Sequence, residues 1–272
     1  MDKESVDLRS LEKVFEAGSR VKLLYAFSLL IAADRYSAAG YKDLIDTEFP
    51  FTSQHMSLVL RHLSTSASGT QEVNRLRALA YEEAMNNLSN APLDLPLILQ
   101  LPTGLGKTTI NLGIATRLLH NSKSNLVYAL PFTSIIDQVY DNYRGFGELS
   151  GIKDNFYLIK MHHAAPKYVE SGYENVEKND EQPPDLGLSI FEDWGGAIIV
   201  TTFVQLFDTL FKGRPSPIRK LHRLAGATVV LDEPQAIPVM MLVTGFPIRI
   251  LKIVKMNVRN IQTEIRRRYC NV

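Results

Sequence analysis

Residues 97–119 read LILQLPTGLGKTTINLGIATRLL, and this stretch decides the fold. A short apolar run, Leu97–Leu101, reads as a buried strand. An amphipathic run, Lys107–Leu119, reads as a helix. Between them lies TGLGKTT, in the strand–loop–helix setting that a phosphate-binding loop requires. Gly104 and Gly106 let the backbone wrap closely around oxygens, because a Cβ there blocks the turn or the approach. Successive amides then point inward, and the helix start adds its positive end. The expected nucleotide contacts are Thr103, Gly104, Gly106, Lys107, Thr108 and Thr109. Lys107 supplies a mobile charge for the β and γ phosphates, and the Thr108 hydroxyl is a ligand for Mg²⁺. The broad pattern asks for glycine five residues before Gly106, where this chain has Leu101. The TGxGKT core is intact.

A partner for this loop lies far downstream. Ala227–Gln235 is ATVVLDEPQ, a buried strand running into Asp232 and Glu233. An aspartate at the end of such a strand, beside a phosphate loop, can hold Mg²⁺. The adjacent Glu233 is placed to orient and deprotonate an attacking water. A pair of acids after a strand is common by chance. Joined to the loop at 101–109, it predicts ATP and Mg²⁺ as cofactors, with Lys107, Asp232 and Glu233 catalytic.

Further strands are expected at Leu126–Leu130, Phe156–Met161 and Ala197–Thr201, with helices at Ser134–Tyr143 and Phe203–Leu210. Strands alternating with helices of this length argue for a parallel α/β sheet covered on both faces. The first ninety residues read helical instead, at Val6–Ala17, Val21–Ala33 and Val73–Leu88, with a loop at STSASGT, residues 64–70. Two prolines in 90–96 mark an expected domain boundary. The stretch 170–185, with six acidic residues, reads as an exposed insertion loop. Residues 241–272 hold seven Lys or Arg against one Glu. Within them, 248–269 reads either as an amphipathic basic helix or as unfolded chain.

Composition narrows the class. The chain has 272 residues, 45% hydrophobic and 22% charged, with net charge +1. These are the proportions of a folded globular protein, and nothing in the total charge proclaims a nucleic-acid or membrane partner. One cysteine, Cys270, excludes a disulfide scaffold and fits a reducing compartment. The apolar run Leu23–Ala33 is too short to span a bilayer, and Met1-Asp-Lys-Glu is not a basic secretory leader. The expected location is the cytoplasm, away from membranes.

The motifs together resemble the first lobe of a superfamily-2 helicase. ALPFTSIIDQ, residues 129–138, and TTFVQLFDTLF, residues 201–211, stand where such helicases contact the sugar-phosphate backbone of the tracked strand. Thr133, Ser134, Thr201 and Thr202 offer hydroxyls and amides at helix starts for that purpose; the same residues also suit simple helix capping. MHH at 161–163, FEDWGGAIIVTTFVQLFDTLF at 191–211 and RKLHRLAGATVVLDEPQAIP at 219–238 are similar to the CRISPR-associated helicase-nuclease of type I systems. The likeness covers about residues 20 to 240. It implies a RecA-like P-loop NTPase lobe, a three-layer parallel sheet, spanning 91–240. A helical segment, 1–90, precedes it as the remnant of an HD-type nuclease domain, and a basic tail, 241–272, follows. It also implies ATP-driven movement on single-stranded DNA during degradation of invading DNA, in partnership with an RNA-guided CRISPR surveillance complex.

Two departures from the family pattern set further expectations. KLLYAFSLLIAAD, residues 22–34, resembles the last helix of the HD domain, whose aspartate ligates metal, here Asp34. The chain has no His-Asp dipeptide, and one carboxylate does not hold a two-metal nuclease site. Asp34 is therefore an orphaned ligand or a helix terminator, and no nuclease activity is expected. His162–His163 are expected to serve packing or DNA-facing hydrogen bonds rather than metal, and the pair His55 and His62 is expected to be surface chemistry of no consequence. No second α/β lobe and no Ser-Ala-Thr coupling element are recognisable after Pro238. The chain is accordingly expected to be truncated or one part of a split protein, completed by a second chain. The rival expectation is a non-catalytic fragment that binds nucleotide or docks on a partner without turnover. A metabolic P-loop kinase is disfavoured by the Gln after Asp-Glu-Pro.

Overall fold

A computed structural model describes residues 17–40, 48–65, 70–92, 97–120, 123–153, 157–161, 191–212, 214–237 and 252–253. Among the described residues three helices come first: α1 (Ala17–Ala38), α2 (Ser53–Thr65) and α3 (Gln71–Ser89). The phosphate loop then leads into α4 (Lys107–Leu119). After it come β1 (Leu126–Leu130), α5 (Thr133–Leu149), β2 (Leu158–Met161), β3 (Ile198–Thr202), α6 (Phe203–Phe211), α7 (Pro215–Ile218), β4 (Thr228–Leu231) and β5 (Lys252–Ile253).

The strands form one sheet in the order β2-β3-β1-β4-β5, and every pairing is parallel. Strands β1, β3 and β4 are buried along their whole length. That follows from their apolar and β-branched sequence, LVYAL, IIVTT and TVVL, which suits a sheet covered on both faces. Period-two alternation divides the side chains. Leu126, Tyr128, Leu130, Ile198, Val200 and Val230 face one core, with Ile110, Leu112 and Ile114 of α4 and Ile136, Val139 and Tyr143 of α5. Val127, Ala129, Ile199, Val229 and Leu231 face the other, with Phe203, Leu206 and Leu210 of α6 and the buried Trp194. This is the three-layer parallel α/β architecture expected from the sequence.

The N-terminal helices divide between the two faces. Met56 of α2 and Leu76, Ala80, Ala84 and Leu88 of α3 belong to the same core as α4 and the sheet. Thr70 caps α3 by accepting from Val73 N at 3.3 Å. Helix α1 covers the opposite face, where Leu24 and Ile31 pack. Buried Ser28 fastens it, accepting from His222 N and meeting His222 Nδ1, both at 3.0 Å.

Some expectations change. Leu97–Leu101 carries only isolated bridges at Ile98 and Gln100 rather than a strand of the sheet. Leu97 and Leu101 are buried, but Gln100 is exposed, so the segment is anchored at its ends and lacks the continuous burial of β1. Helix α5 runs on from the expected end at Tyr143 to Leu149, through Gly147, whose missing side chain leaves room for the Tyr157 hydroxyl. Lys252–Ile253 pairs with Thr228–Val229 as a strand, which contradicts a helix at those two positions. Helix 6–17 except its last residue, the acidic stretch 170–185, His162–His163 and the rest of the basic tail lie outside the described residues.

Candidate active site

Parallel pairing puts the strand ends in register. Leu130 of β1 lies beside Thr202 of β3, and Ala129 lies beside Leu231 of β4. Asp232 N donates to Ala129 O at 3.0 Å, so Asp232 leaves the sheet at its carboxyl edge, where open α/β sheets bind ligands. The phosphate loop comes to the same edge. Lys107 Nζ lies 3.3 Å from Glu233 Oε1 across 126 residues of sequence. Lys107, Asp232 and Glu233 are thus brought together, as their motifs predict.

The loop has the conformation that its glycines allow. Gly104 and Gly106 sit at φ +84° and +83°, a left-handed region that costs other residues about 1–2 kcal/mol. Nothing lies within 4 Å of a Cβ built at either, so the backbone angle, not crowding, selects glycine there. Gly106 is the residue before α4, and no side chain caps the helix. The first intrahelical bond runs from Ile110 N to Gly106 O at 3.0 Å, so the preceding amides have no intrahelical acceptor. Lys107 and Thr108 are half-buried, Thr103 is exposed and Thr109 is buried. What Thr109 can offer a phosphate is its amide, not its hydroxyl.

Around this frame lies a set of side chains that motif reading missed. Tyr128 in β1 donates from Oη to Asp232 Oδ2 at 2.9 Å. Asn111 Nδ2 of α4 donates to Tyr128 Oη at 3.1 Å. Tyr143 of α5 donates to Thr108 O at 3.3 Å, and its ring meets Tyr128 edge to face, 5.8 Å between centroids. Burial first, and nearby negative charge on Asp232 next for Tyr143, hold both phenols well above their ordinary range; both therefore stay donors. Arg77 of α3 reaches the loop from outside, Nε to Gly104 O at 3.0 Å. The only sequence signal for Asn111 and Tyr128 is polarity at positions that the period assigns to the core.

Glu233 has φ +54°, an uncommon backbone for a non-glycine residue and a recurrent mark of functional positions. Gln235 Nε2 donates to its carboxylate. That bond first, and the Lys107 charge second, hold the Glu233 carboxyl below the usual glutamate range. It is ionised at neutral pH, as a base must be. The donor set suits ATP and Mg²⁺: open amides for phosphate, a lysine, the Thr108 hydroxyl, and Asp232 with Oδ1 unbonded among the described residues.

The other expected positions behave differently. Thr133 is half-buried and Ser134 exposed at the start of α5, where no side chain caps the helix. The Thr201 and Thr202 hydroxyls, both expected to face a nucleic acid, each hold a bond within the fold. The Thr201 hydroxyl is buried and donates to Met161 O at 2.8 Å, and the Thr202 hydroxyl caps α6 by accepting from Gln205 N at 3.2 Å. Asp34 is exposed on α1. No group of three or more potential metal ligands occurs among the described residues, and His55 Nδ1 has local partners, accepting from Thr52 N in one tautomer or donating to Pro50 O in the other. No described helix is long and apolar enough to cross a membrane.

The family described as "Type III restriction enzyme, res subunit" (ResIII) matches residues 72–210, more than half of the chain. The chain belongs to the ResIII family. The match runs from α3 through the glycine-rich loop to α6, so it covers Lys107 but not Asp232 and Glu233. A curated relative, the CRISPR-associated nuclease/helicase Cas3 of Haloferax volcanii, is 36% identical over 150 residues. Those residues are 52% of this chain and 16% of the relative, so this ResIII chain spans a small part of that protein's length. The helicase resemblance read from the sequence motifs is borne out at this level.

Proposed function

We propose that this ResIII chain is the ATP-binding lobe of a CRISPR-associated DNA helicase. In this reading ATP hydrolysis drives movement along single-stranded DNA in the cytoplasm, in concert with an RNA-guided surveillance complex. The observation that carries it is the meeting of Lys107 with Glu233, 3.3 Å apart, beside Asp232 at the carboxyl edge of the sheet. The domain division of the reading is a helical segment to residue 90, the lobe over 91–240 and a basic tail.

In the proposed chemistry the amides of Gly104 to Thr109 cradle the phosphates, and Lys107 leaves Glu233 to neutralise their charge. Thr108 and Asp232 would hold Mg²⁺, which supplies charge neutralisation on the phosphate oxygens when bound. Glu233, ionised and freed from Lys107, takes the proton of the attacking water. Thr133 and Ser134 at the start of α5, together with the backbone amides after Thr202, receive phosphates of the DNA strand.

The test is phosphate release from ATP by the whole chain, with and without single-stranded DNA. Glu233→Gln is expected to lower it by roughly 10²-fold or more, the worth of a general base. Release that is equal in the two proteins overturns the proposed chemistry.

A further inference from the structure

The proposal above gives Asp232 a metal-holding role, and the structure adds a constraint on how it fills that role. The Asp232 carboxylate has two oxygens. Oδ2 accepts from Tyr128 Oη at 2.9 Å, and Oδ1 has no bond among the described residues. Asn111 fixes the direction of this bond. Its Nδ2 is a donor only, and it lies 3.1 Å from the same phenol oxygen. The phenol oxygen must accept from Asn111, so its own proton goes to Asp232. Asn111 is 4% exposed and Tyr128 is fully buried, so water does not compete for either group. Tyr143 holds the other metal-side residue, donating to Thr108 O at 3.3 Å, and its ring braces Tyr128 edge to face.

We infer that Tyr128, oriented by Asn111, is a positioning residue for the metal site: it holds Asp232 Oδ2 by a hydrogen bond and so favours Oδ1 as the oxygen offered to the Mg²⁺. The inference rests on the reading of Asp232 as a metal residue. A carboxylate held through one oxygen has less freedom to swing and favours coordination through the other oxygen. Mg²⁺ favours such a ligand, since it demands near-octahedral geometry and takes few carboxylates. Groups that orient a metal ligand in this way typically change metal affinity 10–100-fold when removed. Three elements supply the chain of bonds: α4 carries Asn111 within the helix opened by the phosphate loop, β1 carries Tyr128 and the end of β4 carries Asp232. Metal geometry is thereby tied to the seating of the phosphate-loop helix on the sheet.

The test titrates Mn²⁺ into the full chain with ATP present and follows free Mn²⁺ by electron paramagnetic resonance. It uses wild type, Tyr128→Phe, Asn111→Asp and Asp232→Ala. ATP affinity in EDTA serves as the control for an intact phosphate loop. Tyr128→Phe keeps the ring and removes only the hydroxyl. It is expected to weaken Mn²⁺ binding roughly tenfold with ATP affinity in EDTA unchanged. Asn111→Asp keeps the phenol but offers it a competing carboxylate, which draws the proton away from Asp232; it is expected to weaken Mn²⁺ binding in the same direction. A merely structural tyrosine predicts a loss of both affinities together, and that result overturns the inference. Wild-type Mn²⁺ affinity in Tyr128→Phe, with Asp232→Ala weakened, overturns the positioning role and leaves the reading of Asp232 standing. Wild-type Mn²⁺ affinity in Asp232→Ala overturns both.

Discussion

Removing the charge of Glu233 is expected to tighten nucleotide binding. Lys107 Nζ lies 3.3 Å from Glu233 Oε1, with the two side chains 27% and 42% exposed. In the proposed chemistry ATP takes Lys107 from that pair before the lysine serves the phosphates. An ion pair so open to solvent is worth only about 0.2–1 kcal/mol, which converts to roughly 1.5- to 5-fold in affinity. Glu233→Gln removes the competing charge and also a negative group near the incoming phosphates, so both effects act in the same direction. The assay is equilibrium titration of a fluorescent ATP analogue without metal, at low salt and at about 1 M salt, where the Debye length is roughly 3 Å. The ratio of wild-type to variant dissociation constants should be about 1.5–5 at low salt and approach one at high salt. Equal or weaker binding by Glu233→Gln at low salt refutes the reasoning.

Three further outcomes test the fold around the site. Asp193 is 2% exposed and meets Arg223 Nη2 at 3.1 Å and Nε at 3.3 Å, so Asp193→Ala takes two charge-assisted hydrogen bonds from a buried guanidinium and should cost about 1.5–3 kcal/mol, read by urea unfolding. Burial first and the Arg219 charge second hold the Lys220 ammonium down at about 8, against 10.5 for a free lysine. Between those values the unfolded chain binds more protons than the folded one, so stability rises with pH. The urea midpoint of wild type should therefore gain on that of Lys220→Met from pH 8 to pH 10, and a drift the other way contradicts the assignment. Gly106→Ala should destabilise by about 1–2 kcal/mol through its positive φ, whereas Ala at the exposed helical Gly145 should stabilise by roughly 0.5–1 kcal/mol; thermal melts distinguish the signs.

The sequence made the frame of this molecule legible where a segment obeys a single period. Lys107–Leu119 and Leu126–Leu130 have the expected bounds, because one starts at a glycine-rich turn and the other is an unbroken apolar run. The TGxGKT and DEPQ motifs single out Lys107, Asp232 and Glu233, which the fold brings to one edge of the sheet. Contacts between distant segments were not legible in this way. Asn111, Tyr128 and Asp232 form one chain of hydrogen bonds, yet Tyr128 and Asp232 are 104 residues apart, and each polar tip sits inside an apolar pattern. Thr201 and Thr202 pose a choice that residue type leaves open. A hydroxyl at a helix start suits a phosphate or a backbone amide equally; the Thr201 hydroxyl donates to Met161 O, whereas the Thr202 hydroxyl accepts from Gln205 N and keeps its own proton. The positive φ of Glu233 has no signature in residue type, since glutamate rarely adopts it.

The central claim is that the loop at 101–109 and the acids at 232–233 form one ATP site. Calorimetric titration of the chain with ATP and Mg²⁺, beside Lys107→Ala, tests it most directly. One-to-one binding that weakens at least tenfold in the variant is the predicted result; equal affinities of the two proteins, or no binding by the wild type, contradict it.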